Sequence, residues 1–360
     1  MPACFASRFE EGLERIAVFR ALVLGDMLCT IPAIRALKAA HPAARITLVS
    51  LPWAKELVAR FPQYFHDFVE FPGFPGLPER PFDVERFPPF MHEMRQRRFD
   101  LALQMHGSGS IVNPLVQGFN AQRAAGFCES SSDNPDSNSF LLYPHNEHEI
   151  WRHLRLMEFL GVPLCGDSLE FPVSDEDHAA LDELWLTRDI PSGPYVCLHA
   201  GARYLSRRWP ANRFARVGDA LADDGYTIIL TGSPAEAELA GRVSQAMTAP
   251  HVNLAGKTSL GALAALISRA RLLICNDTGV SHLAAALRTP SVVIVTGSDH
   301  QRWAPLNRRL HHAVMQPADC RPCEHRVCPI DFHCAQRVSP ELVLETARDA
   351  LSPGKTLAVA

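Results

Sequence analysis

A chain of 360 residues exceeds what one ordinary core can hold, so two domains are expected, and an apolar fraction of 47% with 21% charged residues excludes a disordered chain. A formal net charge of −4 gives no support for wholesale nucleic-acid binding. No apolar run reaches the roughly 18 to 20 residues that span a bilayer, and Met1 to Glu14 lacks a signal-peptide core, so a cytoplasmic location is expected. Basic residues are nearly all Arg, with Lys only at 38, 55, 257 and 355.

Taken in order, Ile16 to Phe19 reads as a short apolar strand running into Ala21-Leu22-Val23-Leu24-Gly25-Asp26-Met27-Leu28-Cys29-Thr30-Ile31-Pro32-Ala33. Leu28, Ile31, Ile34 and Leu37 then recur at helical spacing until His41-Pro42 stops the helix. Asp26 falls where strand gives way to helix, at the carboxyl edge that open α/β sheets use for ligands. Ile46 to Ser50 reads as a strand and Trp53 to Arg60 as a helix. Phe61 to Pro89, rich in Pro, Phe and Gly, reads as a long loop around one strand at Phe68–Phe71, and such loops commonly carry function. Phe99 to Met105 is a further strand, Ser130 to Ser139 a polar loop, and His148 to Gly161 a helix.

Between Pro172 and Pro194 the composition shifts to a charged helix, Ser174 to Thr187, closed by Pro191, Gly193 and Pro194; this is the expected linker, 173–194. Alternation then restarts. Strands are expected at Tyr195–His199, Tyr226–Thr231, Val252–Leu254, Leu272–Asn276 and Ser291–Val295. Helices are expected at Ala211–Asp224, Pro234–Met247, Leu260–Arg269 and Gly279–Leu287, with a last one from Pro340 to Leu351 that could pack back across both halves. Strand and helix at this pitch mean right-handed βαβ units, so the chain reads as two Rossmann-like parallel-sheet domains facing a central cleft, 1–172 and 195–360.

The sharpest local signal is Leu272-Leu273-Ile274-Cys275-Asn276-Asp277-Thr278-Gly279-Val280-Ser281-His282, an apolar strand, a tight turn and a helix start. Such a junction offers unpaired N–H groups and the positive end of a helix dipole to a phosphate or diphosphate, leaving Asp277 to accept from a hydroxyl or brace the turn. Simple capping by Asp277 and Thr278 is the plain alternative. Arg207 and Arg208, after His199-Ala200-Gly201-Ala202, could grip an anion on the same edge, and Glu236 in Gly232-Ser233-Pro234-Ala235-Glu236 could accept from a ribose hydroxyl or complement the dipole. Two look-alikes fail. Gly256-Lys257-Thr258 lacks the first Gly of a Walker A loop, where His251 stands, and Gly107-x-Gly109 has Val112 where a dinucleotide fingerprint wants Gly or Ala.

Read together, Gly25-Asp26 with Met-Leu-Cys-Thr-Ile-Pro-Ala, His-Ala-Gly-Ala followed by Arg-Arg-Trp-Pro, Thr-Gly-Ser-Pro-x-Glu, Leu-Ala-Gly-Lys-Thr-Ser-Leu and Asn-Asp-Thr-Gly-Val-Ser-His resemble glycosyltransferase family nine, the ADP-heptose lipopolysaccharide heptosyltransferases, from about Arg15 to about Leu351. The resemblance implies a GT-B fold, with acceptor on the N-terminal domain and nucleotide-sugar on the C-terminal one, and a metal-independent, inverting transfer without cofactor. Carried over by motif position, Asp26 is the expected general base and Arg207 stands where the family usually has Lys on the diphosphate. Glu236 approaches the nucleoside, the loosest match since Glu238 follows closely. Asp277, Thr278, Gly279 and His282 hold the donor's sugar and diphosphate. A lipid-anchored glycan acceptor, and with it peripheral contact at the inner face of the cytoplasmic membrane, is expected too. A nucleotide-sugar epimerase or hydrolase would need a second acid or base that the sequence does not reveal, and a non-catalytic nucleotide-sugar binding protein would not need Asp26.

Ten cysteines complete the inventory. Cys4, Cys29, Cys128, Cys165, Cys197 and Cys275 are scattered, several in apolar strands where a thiol simply packs. Cys320-x2-Cys323-x4-Cys328-x5-Cys334 could instead form a tetrahedral zinc site with His325 and His333 as spare ligands, or remain reduced or partly disulfide-linked.

Overall fold

The structure is a computed structural model in which residues 12–352, apart from Glu324, are described. Cys4, Lys355 and most of the N-terminal stretch Met1 to Glu14 lie outside the described residues. The chain divides into two compact units, residues 1–168 and 169–360.

In the N-terminal unit, β1 (Arg15–Phe19), β2 (Arg45–Ser50), β3 (Phe65–Glu70), β4 (Leu101–Gln104), β5 (Arg123–Cys128) and β6 (Phe140–Leu142) form one sheet in the order β3-β2-β1-β4-β5-β6. Every neighbouring pair is parallel. In the C-terminal unit, β7 (Tyr195–His199), β8 (Thr227–Leu230), β9 (His251–Asn253), β10 (Leu272–Asn276), β11 (Ser291–Ile294) and β12 (His311–Val314) run β12-β11-β10-β7-β8-β9, again parallel throughout. Each unit therefore has the doubly wound order 3-2-1-4-5-6, whose strand order reverses beside its first strand. The reversal lies between β1 and β4 in one unit and between β7 and β10 in the other. Ligands of such sheets bind outside the strands' carboxyl ends at that reversal, so the loops after β1 and β4, and after β7 and β10, are where each unit's chemistry is expected.

Both central strands are apolar because helices cover both faces of a parallel sheet. In β10, Leu272, Leu273, Ile274, Cys275 and Asn276 are all buried, so the run ends on a polar residue at the ligand edge. One core cluster gathers Phe19, Phe71, Phe90 and Phe119 in the N-terminal unit. Another joins Trp209, Phe214, Leu230, Ile274 and Val343 in the C-terminal unit.

Several elements differ from the sequence reading. The helix expected from Leu28 onward is two, Leu24–Leu28 and Ile31–Ala40, because Thr30 and Pro32 restart it. The stretch 61–89 holds all of β3 and the start of the helix Phe87–Gln96, whose Pro residues sit at the first turn where a missing N–H is harmless. β5, β6, β12 and the helix Val112–Gln117 were hidden in short segments of mixed polarity. In the segment read as a linker, the helix expected at Ser174–Thr187 is present as Asp175–Thr187, closed at its start by a Ser174–Asp177 capping box, but it belongs to the second compact unit. It packs on the helix Leu260–Arg269 of its own unit, with Arg269 bonded to Asp182 and His178. The last helix, Pro340–Leu351, packs on the helix Ala211–Asp223 and on β10, β11 and β12 of the C-terminal unit. No helix among the described residues is long and apolar enough to cross a membrane.

Candidate functional site

At the carboxyl end of β1 the chain reaches Asp26, the third residue of the helix Leu24–Leu28. Its side chain is 20% exposed, so the carboxylate is enclosed yet open to a ligand. Thr30 Oγ1 donates to the Asp26 carbonyl at 2.9 Å, and Arg20 Nε donates to the same oxygen at 3.1 Å. Arg20 is buried and continues inward, donating to the Met105 carbonyl after β4 and to Glu149 Oε1 at 2.9 Å. The reversal point of this sheet therefore carries a carboxylate whose backbone is clamped by a buried cation.

The corresponding edge of the C-terminal unit is built on β7 and β10. Asn276 ends β10, and its Nδ2 donates to the Ala200 carbonyl at 2.8 Å while its Oδ1 accepts from the Trp209 N–H at 3.0 Å. This one amide joins the loops after both strands. Thr278 occupies the N-cap position of the helix Gly279–Leu287 with extended backbone, but its hydroxyl makes no capping bond, so the first-turn N–H groups keep donors to offer. The plain capping alternative is thus not what the side chain does. His282 is buried in the same turn region, its ring 6.1 Å from that of Trp303.

Asp277 is buried, and burial pushes its pKa up against the opposing pull of the nearby Ser298 hydroxyl, Arg207 and Arg308, with Asp299 adding to the rise. Within the described residues neither Asp277 Oδ2, Ser298 Oγ nor Arg207 Nε completes a hydrogen bond, although all three are shut off from solvent. One carboxylate oxygen, one hydroxyl and one guanidinium nitrogen at this sheet edge therefore have room for a further partner, although Ser298 and Arg207 both lie close enough to Asp277 to favour its charge. Arg207 lies 5.4 Å from the Tyr204 ring, which Arg203 and Arg326 also approach at 5.8 Å each, so cations converge around this turn.

Glu236 faces the loop after β7 from the neighbouring loop after β8. Its Oε2 accepts from the Ser233 N–H and hydroxyl, each at 2.8 Å, completing a capping box, and lies 3.7 Å from His199 Nε2. Burial opposes its charge, but His199, the Ser233 donors and Arg208 outweigh that, and its pKa is lowered. His199, buried and bonded to Thr231 Oγ1 at 3.1 Å, is lowered by burial. Glycine at 201 leaves room for the Glu236 carboxylate: an added Cβ would stand 2.1 Å from Glu236 Oε1.

The Cys-rich segment is tied to this edge by backbone and side-chain hydrogen bonds. The Cys323 N–H donates to the Gly297 carbonyl at 2.7 Å, the Arg326 carbonyl accepts from the Ser206 N–H at 3.2 Å, and the His325 carbonyl accepts from Ser206 Oγ at 2.5 Å. Arg321 Nε donates to the Thr296 carbonyl at 2.7 Å. Cys320, Cys323, Cys328 and Cys334 are free thiols, and among the described residues no group of three or more His, Cys, Asp or Glu is gathered to hold a metal. The zinc arrangement is therefore not formed by the described residues.

Sequence reasoning named Asp26 in one unit and Arg207, Glu236, Asp277, Thr278, Gly279 and His282 in the other, and the latter six fall on the segments that follow β7, β8 and β10. It missed Arg20, Glu149, Ser298 and Arg308.

Comparison with known proteins gives the family. Residues 89–333 match the model of glycosyltransferase family 9 (heptosyltransferase). Lipopolysaccharide heptosyltransferase 3 of Escherichia coli K12 is 26% identical over 294 residues, covering 78% of this chain and 82% of the relative. Among solved structures, a family 9 glycosyltransferase from Veillonella parvula superposes with a TM-score of 0.80 at 22% identity, covering 95% of this chain and 98% of the other. The E. coli heptosyltransferase WaaC with ADP-2-deoxy-2-fluoro heptose does so with a TM-score of 0.64 at 18% identity, covering 93% and 99%. The two doubly wound sheets are of the GT-B type, and the chain belongs to glycosyltransferase family 9, the heptosyltransferases.

Proposed function

We propose that the protein is an inverting, metal-independent transferase that moves heptose from ADP-heptose to a lipopolysaccharide-core or related glycan acceptor. The N-terminal unit binds the acceptor and the C-terminal unit the donor. The observation that carries the reading is the set of enclosed polar atoms without partners, Asp277 Oδ2, Ser298 Oγ and Arg207 Nε, at the carboxyl edge of β7 and β10. A sugar hydroxyl and a diphosphate oxygen would supply what these groups lack.

In this scheme Asp26 takes the proton of the acceptor hydroxyl as its oxygen bonds to the anomeric carbon. The bond from that carbon to the diphosphate oxygen breaks on the opposite face, and its electron pair leaves with ADP. Arg207 and the first-turn N–H groups of Gly279–Leu287 meet the charge that develops on the diphosphate. Asp277 and His282 orient the sugar, and Glu236 accepts from the nucleoside. Because acceptors of this kind are lipid-anchored, the reaction belongs at the inner face of the cytoplasmic membrane, with peripheral contact only. The relative WaaC, whose structure carries an ADP-heptose analogue, supports the choice of donor.

Asp26→Asn tests the base: transfer is lost while donor affinity by calorimetry stays at the wild-type value. Turnover of that variant near the wild-type rate removes Asp26 from the mechanism. A calorimetric screen of ADP-, UDP- and GDP-sugars tests the donor, and preference for UDP- or GDP-sugars overturns ADP-heptose.

A further inference from the structure

The N-terminal unit holds an ionic cluster that the scheme above does not use. Arg20 Nη2 stands 2.9 Å from Glu149 Oε1 and 3.8 Å from Asp26 Oδ1. Two carboxylates thus share one nitrogen, which keeps them within about 7 Å of each other, a range at which charges inside a protein interact strongly. Arg20 and Glu149 are both buried, so solvent screens this interaction little.

The cluster continues away from Asp26. Arg152, also buried, pairs with Glu149 Oε2 and donates to the carbonyls of Pro144, His145 and Glu147 at 3.0 to 3.1 Å, which fixes its own position. His153 Nε2 lies 3.3 Å from Glu149 Oε1. On the other side His106 accepts the Ala21 N–H at Nδ1 and faces Glu79 at 3.8 Å. Burial drives His106 down to about 3 and His153 to about 4, so both rings are neutral at physiological pH. Among the described contacts, the charges that reach Asp26 through this cluster include Arg20 and Arg152 against Glu149, with Glu79 beyond His106.

A lone buried Arg beside Asp26 would favour the carboxylate so strongly that it made a poor proton acceptor. Glu149 takes the shorter contact with that Arg and opposes its charge. We propose that Glu149 is a positioning residue for transfer: by sharing Arg20 with Asp26 it fixes the guanidinium and offsets its charge, leaving Asp26 basic enough to take the acceptor's proton. This rests on the reading of Asp26 as the base.

The test is a carboxyl-carbon NMR titration of the full chain labelled at aspartate, with the Asp26 signal identified as the one lost in Asp26→Asn. Glu149→Gln removes the opposing charge, and the Asp26 midpoint moves down by about one pH unit. Arg152→Gln leaves the charge of Glu149 less compensated, and the midpoint moves up by roughly half a unit. Shifts of opposite sign are not produced by loosened packing. The acid limb of the kcat–pH profile, measured with ADP-heptose and a lipopolysaccharide-core acceptor, follows the same two directions, while the KM for donor stays unchanged. Glu149→Asp keeps the charge and holds the midpoint within a few tenths of a unit of wild type, so it and Arg152→Gln carry the test if Glu149→Gln does not fold. An Asp26 midpoint unmoved in folded Glu149→Gln or Arg152→Gln, or shifts of the same sign, overturns the proposal. Should Asp26→Asn instead turn over normally, the base reading fails while the titration still reports on the cluster.

Discussion

Gly201→Ala isolates the contribution of Glu236 without touching it. The backbone at Gly201 needs no left-handed conformation, so alanine brings no strain of its own, but its Cβ would lie 2.1 Å from Glu236 Oε1 and 2.3 Å from Cδ. The flexible carboxylate gives way rather than the backbone. It then forfeits the two 2.8 Å bonds from Ser233, a capping box whose loss costs about 1 kcal/mol, or a melting shift of roughly 2–4 °C for a unit of this size. If Glu236 accepts from a donor hydroxyl, losing that charge-assisted bond costs about 1.5–3 kcal/mol, a rise in donor Kd of roughly ten- to hundredfold. Calorimetric titration of ADP-heptose into Gly201→Ala, Glu236→Ala and the double variant separates these effects. Once Glu236 is trimmed the new methyl has nothing to displace, so Gly201→Ala adds little in that background. Wild-type affinity in Gly201→Ala, or an undiminished effect in the double variant, refutes the reasoning.

Two further outcomes follow from buried titratable groups. Asp277 has its pKa raised by burial, so the ligand-free fold holds its proton more tightly than the unfolded chain does, and stability is lost as pH rises through the folded value. Asp277→Asn therefore raises the melting temperature of the ligand-free protein at neutral pH while weakening donor binding, and a lower melting temperature at pH 7 contradicts the sign. His106, His153 and His311 are held neutral, at about 3, 4 and 4, by burial. Their unfolded values lie near 6.5, so the unfolded chain binds more protons and stability falls as pH drops from about 6.5 toward 4. Calorimetry across that window should show roughly three protons taken up on unfolding, about 4 kcal/mol per pH unit near pH 5 summed over both units, and a flat profile would exclude neutral burial of these rings.

Much of this architecture was legible because its signals are local. The apolar run Leu272–Asn276, the turn at Asp277–Thr278 and the helix from Gly279 lie within one short window, so periodicity and turn chemistry place them together. The Arg20–Glu149 pair was not legible, since its partners are 129 positions apart and neither residue type announces burial. The same holds for Ser298 and Arg308, which reach Asp277 only once β10 and β11 lie side by side. β6 and β12 escaped for a different reason: runs of three and four residues are too short for alternation to separate strand from loop. The segment 173–194 read as a linker because its composition shifts to a charged helix, and nothing local reveals that Asp177 and Leu181 are buried or that this helix packs on Leu260–Arg269.

The ionic cluster beside Asp26 and the edge of β7 and β10 treat buried charge differently, and the contrast matches the division of labour proposed for the two units. Around Glu149 the charges are paired: Arg20 and Arg152 both engage its carboxylate, and Arg152 is further spent on three backbone carbonyls. Satisfied buried networks are rigid, which suits a group that must present one carboxylate at a constant position and basicity. At the C-terminal edge, by contrast, Asp277 Oδ2, Ser298 Oγ and Arg207 Nε are enclosed without completing bonds among the described residues, and burial penalises the charge on Asp277. Leaving them so destabilises the ligand-free fold, and under the proposed function an anionic, hydroxyl-bearing ligand would make good the deficit. A half that did chemistry with loose ions, or one that bound its donor with ions already paired, would serve transfer less well on both counts. Melting curves should then separate the units: donor raises the transition of the C-terminal unit and leaves that of the N-terminal unit in place, whereas an equal rise in both would mean that the donor's binding energy is not confined to the edge of β7 and β10.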